Sequence, residues 1–561
     1  MISDKKPVQD FVSLLSKHGI GHVILTPGSR NAPFIISLNG HETIKAFSII
    51  DERSAAFVAL GMAQQLAHPV VLICTSGTAA LNFAPAIAEA FYQRIPLLVV
   101  TADRPIEWID QGEGQSIRQK EVFKNYVKAS FEIAEEASEG DLVWYNVRLM
   151  DEAMRLCLEG VHGPVHINFP LRESLYKTAE DYSKDVKVIE RASTQLKLSD
   201  EELKNITNKI SASKKVLVLA GQMAPNTSLL ENLAAFAQHE NVVVMTEAHS
   251  NLSHPDFITT IDRLIMGFDE VEKQFLVPDL LITVGHNIIS RKIKEYLRSG
   301  QIEHWHVDVS GEGLDTYKQL TKIIPLTPDS FFKSIAQEKY QITSSYKKAL
   351  LEKNNKAAIA SNQFISNSAW SDLQAFDTIM QNIPSGYDVQ MGNSSVVRYV
   401  LLSDSRKDLS YFGNRGVAGI DGCTSTAVGA SFISKKPTIL ITGDIGLFYD
   451  SNAFWNEMVN SNLKVIVVNN GGGGIFRIIP GPNTTGNALD KYFETTHSRQ
   501  AEGMAAMYSL NYKASSDKAS LQEGLDWLYK QKNCAILEVH TPRLDNDKVQ
   551  KSYFNYIKEN K

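Results

Sequence analysis

Cysteine is scarce: four residues in 561 (Cys74, Cys157, Cys423 and Cys534), none spaced as metal ligands or as a disulfide framework. That excludes a cysteine-built zinc site and a disulfide-stapled fold. It also predicts a reducing, cytoplasmic setting in which each thiol is a small buried apolar side chain. No apolar run reaches the roughly 18 residues that begin to suggest a membrane span. The opening MISDKKPVQDF lacks the apolar core of a secretory leader, so neither an export signal nor an integral membrane segment is expected. A basic block is missing too. With 57 Lys and Arg against 63 Asp and Glu, the net charge of -6 argues against nucleic acid or anionic membrane as the main partner. Short-period repeats, low-complexity tracts and a GxGxxG fingerprint are also absent.

What remains is an ordinary globular composition, 43% apolar and 21% charged, with length for about three to four domains. The most informative stretch runs from Thr438 to Ile479. An apolar strand (Thr438 to Ile441) leads to Gly443-Asp444, and a helix is predicted around Asn452 to Val459. A second strand (Val465 to Val468) then ends in Asn469-Asn470 and four glycines. In an open parallel sheet, ligands bind beyond the carboxyl ends of the strands, which would bring Asp444 and Asn470 to one point. A carboxylate, an amide oxygen and glycine carbonyls suit Mg²⁺ or Ca²⁺, with positions left for a phosphate. The glycines let the backbone approach that phosphate closely.

The same construction recurs along the chain. HVILT (His22 to Thr26), AFSII (Ala46 to Ile50), VVLICT (Val70 to Thr75) and LLVVT (Leu97 to Thr101) each end in a polar or glycine-bearing turn. Residues 171 to 200 read as a linker. A second unit carries KVLVLAG (Lys215 to Gly221), VVVMT (Val242 to Thr246), LLITVG (Leu280 to Gly285) and HWHVDV (His304 to Val309); its Gly221 to Asn226 turn does not support an independent dinucleotide site. A polar, helix-prone linker over about 330 to 370 precedes the third unit. The predicted fold class is α/β: three doubly wound parallel-sheet domains, with boundaries at 1–180, 181–345 and 346–561.

Gly443-Asp444 followed by Asn469-Asn470 resembles the thiamine-diphosphate motif. The resemblance implies that Asp444, Asn470 and the Gly472 carbonyl hold Mg²⁺, with Mn²⁺ as the alternative, against the cofactor's diphosphate. Where most of that superfamily has a third glycine, this chain has Ile445. The three-unit order is similar to the pyruvate-decarboxylase-like branch: pyrimidine-binding, central, then diphosphate-binding. In that branch a glutamate protonates the aminopyrimidine and so promotes formation of the thiazolium ylide. Glu52, in Asp51-Glu52-Arg53, matches it. There the glutamate of one subunit serves cofactor held by another, which implies at least a homodimer.

A denser set of motifs narrows the resemblance. TPGSRNAPF (Thr26 to Phe34), DERSAAFVALG (Asp51 to Gly61), TSGTAALN (Thr75 to Asn82), TADRP (Thr101 to Pro105) and GQSIRQ (Gly114 to Gln119) mark the first unit. GNSSVVR (Gly392 to Arg398), GNRGVAGIDG (Gly413 to Gly422) and NNGGGGIF (Asn469 to Phe476) mark the third. Together they resemble the 2-succinyl-5-enolpyruvyl-6-hydroxy-3-cyclohexene-1-carboxylate synthase family, in which the residue after Gly-Asp is commonly apolar. The implied reaction joins 2-oxoglutarate to isochorismate with loss of CO₂, in menaquinone biosynthesis. Both substrates are dicarboxylic acids, which suits arginine forks.

By resemblance Ser394, Arg398 and Arg415 meet the 2-oxoglutarate-derived part, and Ser29, Arg30, Arg104, Gln115, Arg291 and Lys292 surround isochorismate. Ile420 supports the bent cofactor. Gly443, Ile475 and Phe476 complete the cofactor site, and Ile479 joins Ile475 and Phe476 in lining a dry pocket. The adjacent His-His pair of many simple decarboxylases of the superfamily is absent, which fits a carboligase. Two other readings share the motifs. One is another thiamine-diphosphate-dependent 2-oxo-acid decarboxylase or synthase, which would turn over without isochorismate. The other is a non-enzymatic, cofactor-binding regulator, which predicts loss of Glu52, Asp444 or Asn470; all three are present.

Overall fold

The computed structural model describes residues 1–135, 137–180, 186–336, 338, 340 and 342–560. The strands in chain order are β1 (Ile2–Ser3), β2 (His22–Leu25), β3 (Lys45–Ser48), β4 (Val70–Cys74), β5 (Leu97–Asp103), β6 (Ser130–Glu132), β7 (Val165–Pro170) and β8 (Thr178–Ala179). Next come β9 (Val216–Ala220), β10 (Val242–Thr246), β11 (Phe257–Ile258), β12 (Leu280–Val284), β13 (Glu303–Val307) and β14 (Leu320–Ile324). The last six are β15 (Asp388–Met391), β16 (Ser410–Gly413), β17 (Thr438–Gly443), β18 (Leu463–Asn469), β19 (Asn511–Ser515) and β20 (Ala535–His540). Strands β1 and β8 form a small antiparallel pair. The others build three six-stranded sheets, ordered β3-β2-β4-β5-β7-β6, β11-β10-β9-β12-β13-β14 and β16-β15-β17-β18-β20-β19. Neighbouring strands run parallel, as in β4 with β5, β9 with β12 and β18 with β20.

The sequence explains these sheets. Strands such as Val70–Cys74, Val216–Ala220 and Leu280–Val284 are continuous β-branched and apolar runs, buried at every position. That pattern is characteristic of parallel strands covered on both faces. The chain divides into two compact units. One comprises Met1–Ser193, Asn414–Thr438 and Gly446–Leu463; the other comprises Thr194–Gly413, Ile439–Ile445 and Lys464–Lys561.

The first unit contains the sheet ordered around β2 and β4, over a core that includes Phe11, Phe34 and Phe169, which meet edge to face. In it, helix Glu52–Leu66 packs on helix Cys423–Ile433. Their crossing is set by glycine. A Cβ at Gly61 would lie 2.0 Å from the Thr426 carbonyl oxygen, and one at Gly429 would lie 2.0 Å from that of Val58. Only hydrogen fits at either point.

The second unit holds the sheets ordered around β9 and around β15, with separate apolar clusters. One sequence expectation changes in the first unit. The helix predicted for Asn452 to Val459 is absent: a helix spans Asp444–Tyr449, a 3₁₀ turn spans Ser451–Phe454, and turns follow. The cause is tertiary hydrogen bonding by side chains that compete with a helix. Buried Asp450 accepts from the Ser425 amide and hydroxyl, both at 2.7 Å, and Asn452 Nδ2 donates to Asp51 Oδ2 at 2.8 Å. The polar, helix-prone stretch expected over about 330 to 370 contains a long helix. Helix Tyr346–Asn367 buries Tyr346, Leu350, Ala357, Ala360 and Ile365. The expected boundary between residues 180 and 181 adjoins 181–185, which lie outside the described residues. All four cysteines are buried and none is in a disulfide, and burial pushes the Cys157 and Cys534 thiols up to about 12.

Candidate active site

In the first unit the carboxyl ends of β2 and β4 open onto a cleft of about 440 Å³. Pro27, Gly28, Glu52, Ser76, Gly77 and Gln115 are among its lining residues. Each is there for a local reason. Glu52 is the first residue of its helix, whose N-cap Asp51 accepts from the Ser54 amide at 3.1 Å. Asp51 and Arg53 fix it on both flanks: Asp51 through Asn452, and Arg53 by donating to the Tyr449 carbonyl at 3.1 Å with its guanidinium over the Tyr449 ring. Gly28 must be glycine, because a Cβ would sit 2.2 Å from that of Thr75. Gly77 has φ +87 and packs on Gln115, itself left-handed at φ +53.

Buried Gln119 ties the floor together. It accepts from the Gly77 amide at 2.8 Å and donates to the Ala102 carbonyl and Asn168 Oδ1. The hydroxyls of Ser76 and Ser116 are buried and have no hydrogen-bond partner among the described residues. A cleft with a carboxyl group and unpaired hydroxyls suits a small polar ring, which would satisfy those groups.

Arg30 and Arg104 belong to the same unit. Arg30 is buried, donates to the Leu171 carbonyl at 2.7 Å and pairs with Glu173 at 3.1 Å; burial and then the Arg104 charge lower its pKa. Arg104 donates to the Gly114 carbonyl at 2.7 Å and lies 3.4 Å from Glu113. Two guanidiniums held near one another would suit an anion that displaced their glutamate partners. Ser29, next to Arg30, and Gln115, next to the Gly114 carbonyl that Arg104 holds, are exposed. Arg415 and Ile420 lie in the half-buried loop between β16 and helix Cys423–Ile433.

In the second unit the ends of β17 and β18 meet as the sequence implied. Asp444, 3% exposed, accepts from the Ile445 amide at 2.7 Å and from the Gly471 and Gly472 amides at 3.0 Å each. Gly471 has φ +75, and a Cβ at Gly472 would lie 2.8 Å from the Glu494 carbonyl oxygen. Asn470 donates to Asp372 Oδ2 at 3.1 Å, which turns its Oδ1 away as a buried acceptor with no partner among the described residues. Among the described residues no group of three or more His, Cys, Asp or Glu is placed to hold a metal. The oxygens gathered here are mixed in type, a carboxylate, an orphaned amide oxygen and a glycine carbonyl, a set that would suit a hard divalent cation. Gly443 ends β17; Ile475 is buried, and Phe476 and Ile479 are half-buried in the segment after the glycines.

That segment is pinned by residues the sequence did not flag. Fully buried Glu494 takes Arg477 at 2.6 Å and Arg543 at 2.7 Å, while its carbonyl accepts from the Gly473 amide at 2.7 Å. His497 Nε2 lies 3.4 Å from Asp444 Oδ2, and that contact raises its pKa.

Ser394 takes φ +72, unusual for a non-glycine residue, at the start of helix Ser395–Val400; Arg398 donates back to its carbonyl. Arg291 and Lys292 open helix Arg291–Arg298 and are exposed. Cations at a helix N-terminus oppose its dipole by about 0.3–1 kcal/mol, so they are poorly placed for stability and well placed for an anion. The turn before them is held by Glu247, which accepts from the Ile289 and Ser290 amides at 2.7 Å each; burial pushes its carboxyl up to about 7. Asp262 accepts from the Ser290 hydroxyl and feels the charges of both Lys292 and Arg398. The structure thus brings Lys292 and Arg398 into the field of one carboxylate.

Parallel α/β sheets with a carboxyl-lined polar cleft at one set of strand ends and a glycine-rich cluster of oxygens at another fit the thiamine pyrophosphate enzymes, and the family models place the chain among them. Three family models match in order: "Thiamine pyrophosphate enzyme, N-terminal TPP binding domain" over residues 6–122, "Middle domain of thiamine pyrophosphate" over 184–388, and "Thiamine pyrophosphate enzyme, C-terminal TPP binding domain" over 390–539. Curated relatives match along nearly the whole chain. A 2-succinyl-5-enolpyruvyl-6-hydroxy-3-cyclohexene-1-carboxylate synthase of Flavobacterium johnsoniae is 41% identical over 558 residues, covering 98% of each chain. Its counterparts in Porphyromonas gingivalis (38%, over 99% of this chain and 98% of the relative) and Bacteroides thetaiotaomicron (34%, over 100% of both) bear the same name. The chain belongs to the 2-succinyl-5-enolpyruvyl-6-hydroxy-3-cyclohexene-1-carboxylate synthase family.

Proposed function

We propose that this chain uses thiamine diphosphate to join 2-oxoglutarate to isochorismate with loss of CO₂, giving 2-succinyl-5-enolpyruvyl-6-hydroxy-3-cyclohexene-1-carboxylate in menaquinone biosynthesis. The observation that carries this reading is identity to synthases of that name along essentially the whole chain, with every motif position discussed above filled. The cofactor, when bound, supplies the electron sink that lets a 2-oxo acid lose CO₂ and its former carbonyl carbon act as a nucleophile.

The remaining tasks fall to the chain's own residues. Glu52 would hold a proton at the ring nitrogen of the aminopyrimidine, in the cleft where Ser76 and Ser116 offer their unpaired hydroxyls. Asp444, Asn470 Oδ1 and the Gly472 carbonyl would hold Mg²⁺, or Mn²⁺ in its place, with Gly443 giving the diphosphate room. Ser394, Arg398 and Arg415 would bind 2-oxoglutarate. Ser29, Arg30, Arg104, Gln115, Arg291 and Lys292 would bind isochorismate, with arginine forks reading its carboxylates. Ile420, Ile475, Phe476 and Ile479 would exclude water, which favours loss of a charged carboxylate as neutral CO₂.

The working form is at least a homodimer in the cytoplasm, with domains 1–180, 181–345 and 346–561 binding pyrimidine, forming the centre and binding diphosphate and metal. Among the described residues no helix is long and apolar enough to cross a membrane. The test is CO₂ release from 2-oxoglutarate with thiamine diphosphate and Mg²⁺, with and without isochorismate, while isochorismate loss is followed. Coupled, near-stoichiometric consumption supports the carboligase; release indifferent to isochorismate makes the protein a decarboxylase instead.

A further inference from the structure

Helix Ala84–Gln93 carries a carboxylate that the function above does not use. Glu89 is 1% exposed, and three successive backbone amides converge on it: Gly416 at 2.6 Å, Val417 at 2.8 Å and Ala418 at 3.3 Å. Gln93 Nε2 donates to the same group at 2.6 Å. These amides sit outside helix and strand, between Arg415 and Ile420, and Ala418 is left-handed at φ +63. The approach is close: a Cβ at Gly416 would lie 2.6 Å from the Glu89 carbonyl oxygen. At the loop's far end a Cβ at Gly422 would enter the Phe57 ring at 2.1 Å. The loop is therefore moulded between two fixed surfaces, one of them a buried charge. A buried carboxylate is costly unless its lone pairs are filled, and here four donors fill them.

We propose that Glu89 is a positioning residue: its carboxylate sets the conformation of the Gly413–Gly422 loop and so fixes where Arg415 and Ile420 stand. With four donors converging on it, an ionised carboxylate accepts from all of them, whereas a protonated one would turn an O–H against a donor. An amide of equal size has a single oxygen and turns an NH₂ group against a backbone N–H. The predicted effect on turnover rests on the reading of Arg415 as a 2-oxoglutarate contact; the effect on the loop does not.

The test compares full-length wild type with Glu89→Gln by hydrogen exchange and by steady-state kinetics. Amides 416–418 should exchange at least tenfold faster in the variant. The KM for 2-oxoglutarate should rise at least tenfold, while that for isochorismate stays within twofold. If Glu89→Gln does not fold, Gly416→Ala, which pushes the loop off the helix from the other side, should give the same split. Unchanged exchange at 416–418 overturns the proposal. So does a fall in kcat alone with both KM values unchanged, because that is the signature of lost folded protein. Wild type that fails to consume 2-oxoglutarate sinks the functional reading instead, and exchange still decides Glu89.

Discussion

Alanine at Gly61 or Gly429 tests whether the crossing of helices Glu52–Leu66 and Cys423–Ile433 is as tight as it stands. On an open helix this change would stabilise by about 1 kcal/mol through propensity. Here each new methyl carbon would meet a backbone carbonyl oxygen at 2.0 Å, about 1.5 Å inside the roughly 3.5 Å of ordinary contact. A carbonyl cannot rotate away as a side chain can, so the helices must part. Overpacking of this kind costs typically about 1–3 kcal/mol. Taking about 3 kcal/mol against the propensity gain, each variant should lose about 2 kcal/mol.

Both methyls ask for the same separation, so the double variant should lose about 3 kcal/mol rather than the sum. Glu52 begins one helix and the Arg415 loop leads into the other, so parting the helices would shift both of these proposed site residues from their places. A displacement near 1 Å can cost about 100-fold in rate. Urea unfolding followed by circular dichroism, with kcat measured on the folded fraction, reads both effects. Singles within 0.5 kcal/mol of wild type, or additive singles, would refute the reasoning.

Glu52→Gln should retain thiamine diphosphate by calorimetry yet lose about 10²- to 10⁴-fold in CO₂ release; near-normal turnover would remove Glu52 from the mechanism. Asp444→Asn keeps the shape but not the charge, and presents an NH₂ group to the Gly471 and Gly472 amides. Mg²⁺-dependent cofactor retention should fall at least about 100-fold, and unchanged retention in equilibrium dialysis would contradict the metal assignment. Folded Glu247 keeps its proton to about pH 7, whereas in the unfolded chain it is released near 4.5. Raising the pH through that window therefore favours unfolding, by up to about 3 kcal/mol. Glu247→Gln should lack this component, so urea midpoints at pH 5 and pH 8 should differ less in the variant; identical differences would count against it.

Much of the fold was legible because parallel strands buried on both faces leave uninterrupted apolar runs, and β4, β5, β10 and β12 begin where those runs begin. The candidate site was legible where polar groups sit at a strand end, as Asp444 and Asn470 do. What the sequence hid was side chains working against their type. Glu89 reads as an ordinary helical surface charge, yet it is buried by a loop more than three hundred residues away. Asp450 and Asn452 sit in a stretch of good helical pattern that their own hydrogen bonds break. Gln119 closes GQSIRQ without any local sign that it holds Gly77. Such residues become visible only when their partners, distant in sequence, are known.

The sheets built on β2 and β15 share one strand order, second-first-third-fourth-sixth-fifth, whereas the sheet built on β9 follows another. Equivalent loops can therefore be aligned by rank. After the first strand come Ser29 and Arg30 in one sheet and Ser394 in the other. After the second come Glu52 and the Arg415 loop; after the third, Gly77 and Asp444; after the fourth, Arg104 and Asn470. The candidate residues of the two sheets therefore occupy the same four addresses, and one frame, used twice, aims two different sets of side chains.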